Sequence, residues 1–333
     1  DGATACAVEA SSIGIEEARM AGSVIDCAVF TNLTRDHLDY HQTMAAYAAA
    51  KAKLFAWEGL RAAVVNYDDT FGQTLIEQTT AKLVVAYGLS ARPQGLSASA
   101  GWVGAESVQT TAQGMSATLV FGDERLAFTT RIIGRHNLSN LLAVAAVLSA
   151  QGLAPAEIIV ELGKLQPPAG RMACLGGNAA PLVVVDYAHT PDALANILAA
   201  LRDVTQARGG KLFCIFGCGG DRDPGKRPEM GRVAAAAADM VCITSDNPRW
   251  ESPADILQAI AVGAPSARMV EDRALAIQQV IAEASAEDVV LLAGKGHETE
   301  QEIRGQRYPF DDAVHAKAAL AAWNEQQLVG AEV

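Results

Sequence analysis

The chain has no CxxC pair, no long apolar run and no excess of basic charge, and each absence removes a class of function. Its six cysteines, Cys6, Cys27, Cys174, Cys214, Cys218 and Cys242, are scattered and mostly sit in apolar, strand-like runs. That usage fits reduced core thiols in a cytoplasmic protein. The apolar runs are short and broken by Gly, Asp or Pro, which excludes a membrane span. Lys and Arg number 26 against 38 Asp and Glu, a net charge of −12. Nucleic acid would need a basic face, so no such partner is expected. There is no internal repeat and no low-complexity tract. The opening DGATACAVEASS has neither the basic start nor the apolar run of a secretory signal. It also lacks an initiator Met and begins close to a strand, so these residues read as a piece of a longer protein.

What is present suits a soluble α/β protein. Half of the 333 residues are hydrophobic and 19% are charged, and that length points to two domains. Gly163–Met172 (GKLQPPAGRM) holds two prolines and two glycines and is the expected boundary, giving a first domain over 1–166 and a second over 167–333. In the first, strands are expected at Cys27–Thr31, Ala62–Tyr67 and Lys82–Tyr87, with a helix start at Asp68-Asp69. Short polar alternating runs from Ala98 to Ile133 suggest antiparallel hairpins, and Gly134–Gly152 reads as a helix. In the second, apolar runs at Leu182–Asp186, Lys211–Gly217, Met240–Ser245, Arg268–Val270 and Asp288–Gly294 alternate with helical stretches. That is the pattern of a doubly wound, Rossmann-like parallel sheet, which binds ligands at the carboxyl ends of its strands.

The densest chemistry lies in Phe30–Phe55, FTNLTRDHLDYHQTMAAYAAAKAKLF. Asp36, His37, Asp39 and His41 fall within six residues. On a helix His37 and His41, four apart, share a face. Beyond them Met44, Tyr47, Leu54 and Phe55 form one apolar helical stripe, and Lys51 lies on it while Lys53 does not. A lysine on a buried face loses its charge more easily, and a neutral amine can take up carbon dioxide as a carbamate, an oxygen ligand for a metal. The alternative is that Lys51 snorkels to water.

Four strand ends in the second domain carry polar motifs. GCGGDRDPGKR at Gly217–Arg227 fits neither common phosphate loop. The G-x-x-x-x-G-K match is followed by Arg227 where Ser or Thr would hold a metal, and Arg222 stands where G-x-G-x-x-G needs its third Gly. What remains is a glycine-rich turn bearing Arg222, Lys226 and Arg227, either a carboxylate-binding loop or a solvated basic loop. DNPR at Asp246–Arg249 offers acceptors for an ammonium and a planar fork for a carboxylate, as a zwitterionic amino acid requires. A local Asp–Arg pair bracing the turn is the other reading. GKGHE at Gly294–Glu298 allows close backbone approach, and Glu298 can accept from an ammonium. Asp186, in DYAHTP, sits where ribose hydroxyls are met or where the next helix is capped.

These stretches recur together in one family. EASS at Glu9–Ser12, TNLTRDHLDYH at Thr31–His41, AAK at Ala49–Lys51, GRHNLSN at Gly134–Asn140, PPAGRM at Pro167–Met172, DYAHTP, GCGGDRD, DNPR and GKGHE occur in this order. The set resembles the Mur ligases from about residue 9 to the C-terminus, and within them the branch that takes meso-diaminopimelate. The resemblance implies a cytoplasmic, monomeric, ATP-dependent ligase of peptidoglycan synthesis with no membrane partner. Its substrates would be a UDP-N-acetylmuramoyl-dipeptide, meso-diaminopimelate and ATP, joined through an acyl phosphate with Mg2+ on the phosphates. It implies metal contacts from Glu9, His37 and a carbamylated Lys51, with Lys51 and His37 serving catalysis. Ser12 and Arg19 match positions for the UDP-sugar peptide, and Glu17 is assigned with them; family members often carry Gln at the place of Glu17 and His at the place of Ile13. Asn137, Arg171 and Asp186 match ATP contacts. Arg222, Asp246, Asn247, Arg249, Gly294 and Glu298 match the diaminopimelate pocket. Arg249 favours diaminopimelate over L-lysine, because only the former has a distal carboxylate to grip.

Family members also carry an N-terminal UDP-binding domain and a G-T-N-G-K-T phosphate loop ahead of EASS. Neither is in this sequence, so residues 1–333 alone are expected to be inactive; substrate-dependent phosphate release by them would contradict that. The competing readings are an L-lysine-adding relative, a folylpolyglutamate synthase-like ligase, a nicotinamide-dependent oxidoreductase, and a non-catalytic amino-acid-binding module.

Overall fold

The computed structural model describes residues 2, 4–34, 37–167 and 170–331, apart from the side chains of 38, 39 and 328–331. Two compact units result. The first comprises Asp1–Val108, Ala117–Phe128 and His136–Lys164; the second comprises Gln109–Ser116, Thr129–Arg135 and Leu165–Val333.

One sheet has the order β1 (Cys27–Phe30), β2 (Ala62–Asn66), β3 (Leu83–Gly88), β4 (Gly101–Thr111), β5 (Gly114–Phe121) and β6 (Glu124–Thr130). β1 through β4 run parallel. The connections from β4 to β5 and from β5 to β6 are two residues long, which only antiparallel neighbours allow. The sheet thus joins a parallel half to the hairpins that the alternating, glycine-broken sequence predicts. Asp69 caps the helix Thr70–Gln78 by accepting from Phe71 N at 2.8 Å, the helix start expected at Asp68-Asp69. The helix expected over 134–152 spans Arg135–Ala150.

The other large sheet has the order β11 (Arg268–Met269), β10 (Met240–Ile243), β9 (Leu212–Phe216), β12 (Val289–Ala293), β8 (Leu182–Asp186) and β7 (Ala173–Gly176). β8 through β12 are parallel, as their apolar runs predict. Every residue of β8, β9 and β12 is buried, because helices cover both faces. Leu182, Val184, Val289 and Leu291 face the helices Pro191–Arg208, Lys226–Ala237 and Pro253–Ala261. Val183, Val185, Val290 and Leu292 face the helices Arg273–Glu283 and Asp312–Ala331. Fully burying one such Val or Leu contributes about 1.5–3 kcal/mol.

Two features go beyond the expected parallel set. β7 pairs antiparallel with β8 at the edge, and β13 (Glu300–Ile303) forms a hairpin with β14 (Gln306–Pro309). β7, β13 and β14 are four-residue strands without a buried position, so none shows a buried apolar run. The hairpin matters for function, because Ile303 bridges to Arg249 of DNPR. Among the described residues no helix is long and apolar enough to cross a membrane, and all six cysteines are free thiols.

Candidate active site

In the first unit the two histidines and the lysine helix meet on one ring. Tyr47, buried in the helix Met44–Ala52, stacks on His41 with centroids 5.3 Å apart at 26° and meets the edge of His37 at 6.0 Å. Lys51 Nζ lies 5.2 Å from the same ring's centroid, one helical turn on from Tyr47. Its ammonium faces the negative face of the phenol, a favourable contact.

Two expectations change here. His37 and His41 do not share a helical face: the helix spans only Leu38–His41, and His37 precedes it with φ of 51°. Tyr47, not helical spacing, brings the two rings together. Lys51 is half-buried rather than buried, because the helix ends at Ala52 and a 3₁₀ turn over Lys53–Ala56 carries Leu54 and Phe55. Asp36 and the side chain of Asp39 lie outside the described residues.

His41 Nε2 is hydrogen-bonded with the buried Ser12 Oγ at 2.9 Å. A ring 29 residues away in sequence thus fixes the Ser12 hydroxyl. Glu17 and Arg19 form an exposed ion pair with each other, and Glu9 is exposed. Among the described residues no three His, Cys, Asp or Glu side chains gather as a metal-binding group. Glu9, His37 and a carbamylated Lys51 include only two residues of those types. A Glu9 carboxylate and a carbamate on Lys51 would supply the hard oxygen donors that Mg2+ takes, with His37 as the one nitrogen. Asn137 lies half-buried on the helix Arg135–Ala150, where its Oδ1 accepts from Asn140 Nδ2 at 3.5 Å.

In the second unit the carboxyl ends of β8, β9, β10 and β12 carry the polar residues. Asp186, buried at the end of β8, accepts from Ala188 N at 2.8 Å and from Met172 N at 2.9 Å. It does not cap the next helix; Thr190 does, accepting from Ala193 N at 3.3 Å. Oδ1 instead closes the turn after β8, and Oδ2 braces the loop holding Arg171, whose guanidinium lies 5.5 Å from the Tyr187 ring. Pro168 and Ala169 of PPAGRM lie outside the described residues.

The basic turn after β9 divides its cations. Arg227 is buried and donates to Glu251 Oε1 at 2.8 Å and to Gly219 O at 3.3 Å. Lys226 donates to His189 O at 2.9 Å. Arg222 is the exposed member of the three. Neither of the two readings of this turn fits all three cations: Arg227 braces the turn itself, Lys226 ties it to the loop after β8, and Arg222 alone stays exposed.

DNPR does not close on itself either. Asp246 and Arg249 take different partners, Lys295 and Glu302. Arg249 Nε lies 3.3 Å from Glu302 Oε2, and Nη1 donates to Gly220 O at 2.7 Å. Among the described residues Nη2 makes no hydrogen bond, so the end of the guanidinium is open to a carboxylate. The Arg249 backbone has φ of 50°, strain of the kind held at binding loops. Its N–H donates to Glu302 O at 3.0 Å and its carbonyl accepts from Arg304 N at 2.6 Å. At Gly220 a Cβ would lie 2.0 Å from the Pro248 carbonyl oxygen. Only glycine allows the β9 turn to lie against DNPR there.

Asp246 is buried, and burial pushes its carboxyl above the ordinary range against the opposing charges of Arg273 and Lys295. Among the described residues its Oδ1 has no hydrogen-bond partner, and Lys295 Nζ is 3.7 Å away. Gly294, with φ of 113°, turns the chain after β12 and leaves a built Cβ position 3.4 Å from Asp246 Oδ2. Asn247 Nδ2 donates to Glu298 Oε2 at 2.8 Å. The cluster presents two carboxylates and one open guanidinium edge, which suits a ligand bearing both an ammonium and a carboxylate.

Sequence reasoning missed Tyr47, Lys295 and Glu302. Lys295 stood inside the GKGHE motif without a role. Tyr47 read as one of several apolar stripe residues. Glu302 lies in the hairpin that carried no periodic signal.

A family model described as the Mur ligase middle domain matches residues 1–148, and one described as the Mur ligase glutamate ligase domain matches residues 170–296. The UDP-N-acetylmuramoyl-L-alanyl-D-glutamate–2,6-diaminopimelate ligase of Acidovorax sp. (strain JS42) is 50% identical over 324 residues, which is 96% of this chain and 63% of the relative. The protein of that name from Xanthomonas campestris pv. campestris (strain 8004) is 51% identical over 325 residues, covering 96% of this chain and 64% of the relative. A solved structure of a ligase of that name superimposes with a TM-score of 0.72 at 37% identity, over 95% of this chain and 64% of its own. A folylpolyglutamate synthase of Thermotoga maritima shares the fold at a TM-score of 0.59 and 14% identity, over 80% of this chain and 57% of its own. The chain thus spans somewhat under two thirds of the length of the curated relatives it matches.

Proposed function

The chain belongs to the Mur ligase family, and from that we propose that the protein it is part of joins meso-diaminopimelate to the D-glutamate of UDP-N-acetylmuramoyl-L-alanyl-D-glutamate at the expense of ATP. One observation carries the choice of amino acid. The open edge of Arg249 stands in one cluster with the carboxylates of Asp246 and Glu298. The carboxylates suit an ammonium and the guanidinium suits a carboxylate. L-lysine has no distal carboxylate to meet that open edge. The names of the relatives agree with the reading.

In the reaction the γ-carboxylate of D-glutamate attacks the γ-phosphorus of ATP, and ADP leaves. The diaminopimelate amine then attacks the acyl carbon, phosphate leaves with the bonding pair, and the amine gives up a proton. Mg2+, held by Glu9, His37 and carbamylated Lys51, would neutralise phosphate charge. Ser12, with its hydroxyl fixed by His41, and Glu17 and Arg19 would hold the UDP-sugar peptide. Asn137, Arg171 and Asp186 would contact ATP. Arg222, Asp246, Asn247, Arg249, Gly294 and Glu298 would orient diaminopimelate so that its amine meets the acyl carbon, which is where positioning lowers the barrier. We place the middle domain over 1–166 and the amino-acid-binding domain over 167–333; the Pro- and Gly-rich stretch at Gly163–Met172 supports this division. The thiols being free is consistent with a cytoplasmic setting.

The test is amide formation by the full-length protein with the UDP-dipeptide, ATP and meso-diaminopimelate. The expected product has the mass of both substrates less one water, formed with equal amounts of ADP and phosphate. Product with L-lysine but not with diaminopimelate would overturn the reading.

A further inference from the structure

We propose that Lys295 is a positioning residue for the substrate ammonium: its buried Nζ holds one oxygen of Glu298 and leaves the other facing the pocket. The inference rests on the functional reading above.

The side chain of Lys295 is fully buried, a costly place for a cation unless every proton is used. Nζ donates to Glu300 O at 2.7 Å, to Glu298 Oε2 at 3.1 Å and to Asn247 Oδ1 at 3.2 Å. An ammonium has three protons, so these contacts exhaust it. The Phe310 ring, its centroid 5.9 Å away, closes another side.

This arrangement decides the orientation of two pocket side chains. Lysine is a donor only, so the Asn247 atom facing it must be the carbonyl oxygen. That oxygen also accepts from Glu302 N at 3.0 Å, which fixes the amide further. Asn247 Nδ2 is thereby aimed at Glu298 Oε2, 2.8 Å away. Oε2 then receives two donors, Lys295 and Asn247, while Oε1 receives none among the described residues. The Glu298 side chain keeps 34% of its surface exposed. Its open oxygen is one acceptor left over in the cluster; the other, Asp246 Oδ1, is buried and has no hydrogen bond among the described residues.

Lys295 also balances charge. It lies between the carboxylates of Asp246 and Glu298. Without it, Glu298 would face buried Asp246 with one cation fewer, and its half-exposed side chain would swing toward water. The pocket would lose a fixed acceptor while DNPR kept its other ties to Glu302 and Gly220. The loss should therefore fall on amino-acid binding, not on activation of the D-glutamate carboxylate.

The experiment uses the full-length enzyme and the variants Lys295→Met, Glu298→Gln and their double. Lys295→Met should raise KM for meso-diaminopimelate about 30-fold, as when one partner of a buried charged hydrogen bond is removed. KM for ATP and for the UDP-dipeptide, and the rate of UDP-dipeptide-dependent ADP–ATP exchange, should stay near wild type. The double variant should lie within about three-fold of either single, because both remove one interaction. Should Lys295→Met fail to melt cooperatively, Lys295→Gln, which keeps a donor toward Asn247 but no charge, is read in its place with the same expectation. Unchanged KM for diaminopimelate, equal rises for all three substrates, or additive effects with Glu298→Gln would overturn the positioning role. A wild-type enzyme that forms no amide with diaminopimelate would instead overturn the functional reading and this inference with it.

Discussion

Asp312→Ala is expected to lower the unfolding free energy of the second unit by about 3–5 kcal/mol, as when a buried charge loses its partner. Asp312 and Arg273 are both fully buried and joined by two bonds of 2.7 Å, from Nε to Oδ1 and from Nη2 to Oδ2. The pair links the start of the helix Asp312–Ala331 to the start of the helix Arg273–Glu283. Arg273 also donates to Ala293 O at 3.0 Å and to Ser245 O at 3.5 Å. Those carbonyls immediately precede Gly294 and Asp246, so the pair pins the strand ends that carry the pocket. Asp312→Ala should therefore weaken amino-acid binding as well as stability. Replacing both partners, Arg273→Met with Asp312→Leu, should restore most of the stability, because no uncompensated charge remains. Urea denaturation followed by circular dichroism measures both. A change below about 1 kcal/mol for Asp312→Ala would mean that the guanidinium reaches water in its absence, against the burial described.

Lys51→Ala in the full-length protein is expected to cut kcat by about 100- to 1,000-fold, the size of effect that follows loss of a group stabilising transition-state charge. Lys51→Arg separates two roles. Arginine can keep a cation over the Tyr47 ring, 5.2 Å from Nζ in the native chain, but forms no carbamate. If Lys51 serves as an oxygen donor, arginine fails as alanine does. If the contact with Tyr47 is its whole purpose, Lys51→Arg keeps most of the activity. Neither variant should alter diaminopimelate affinity, because that pocket is built from residues of the second unit. Steady-state rates with calorimetric binding on the same preparations check all three statements.

Much of the fold was legible in the sequence because burial leaves a plain record. Strands covered on both faces must be apolar at every position, and LVVVD, LFCIF and VVLLA are nearly so. The hairpin region was legible from alternation and glycine breaks. β7 and β13 were not, because short edge strands with half-exposed residues resemble loops. The site divides in the same way. Motif order brought out Asp246, Arg249 and Glu298, but their pairings came from register. Arg249 meets Glu302 because DNPR bridges to β13, so the alternative of a local Asp246–Arg249 pair gives way to two other pairs. Lys295 is three residues from Glu298 and 48 from Asn247, and no local pattern shows that it joins them. His41 reaches Ser12 across 29 residues for the same reason. The Tyr47 ring gathers His37, His41 and Lys51, although its place on an apolar stripe suggested only packing.

The most direct test of the account is a calorimetric titration of the full-length protein, with the UDP-dipeptide and a non-hydrolysable ATP analogue present, using meso-diaminopimelate and L-lysine in turn. The account predicts binding of diaminopimelate, no measurable binding of L-lysine, and a loss of at least about 100-fold in diaminopimelate affinity in Arg249→Ala, since a charge-assisted contact to the distal carboxylate is removed. Equal affinity for the two amino acids, or an Arg249→Ala protein that still prefers diaminopimelate, would contradict it.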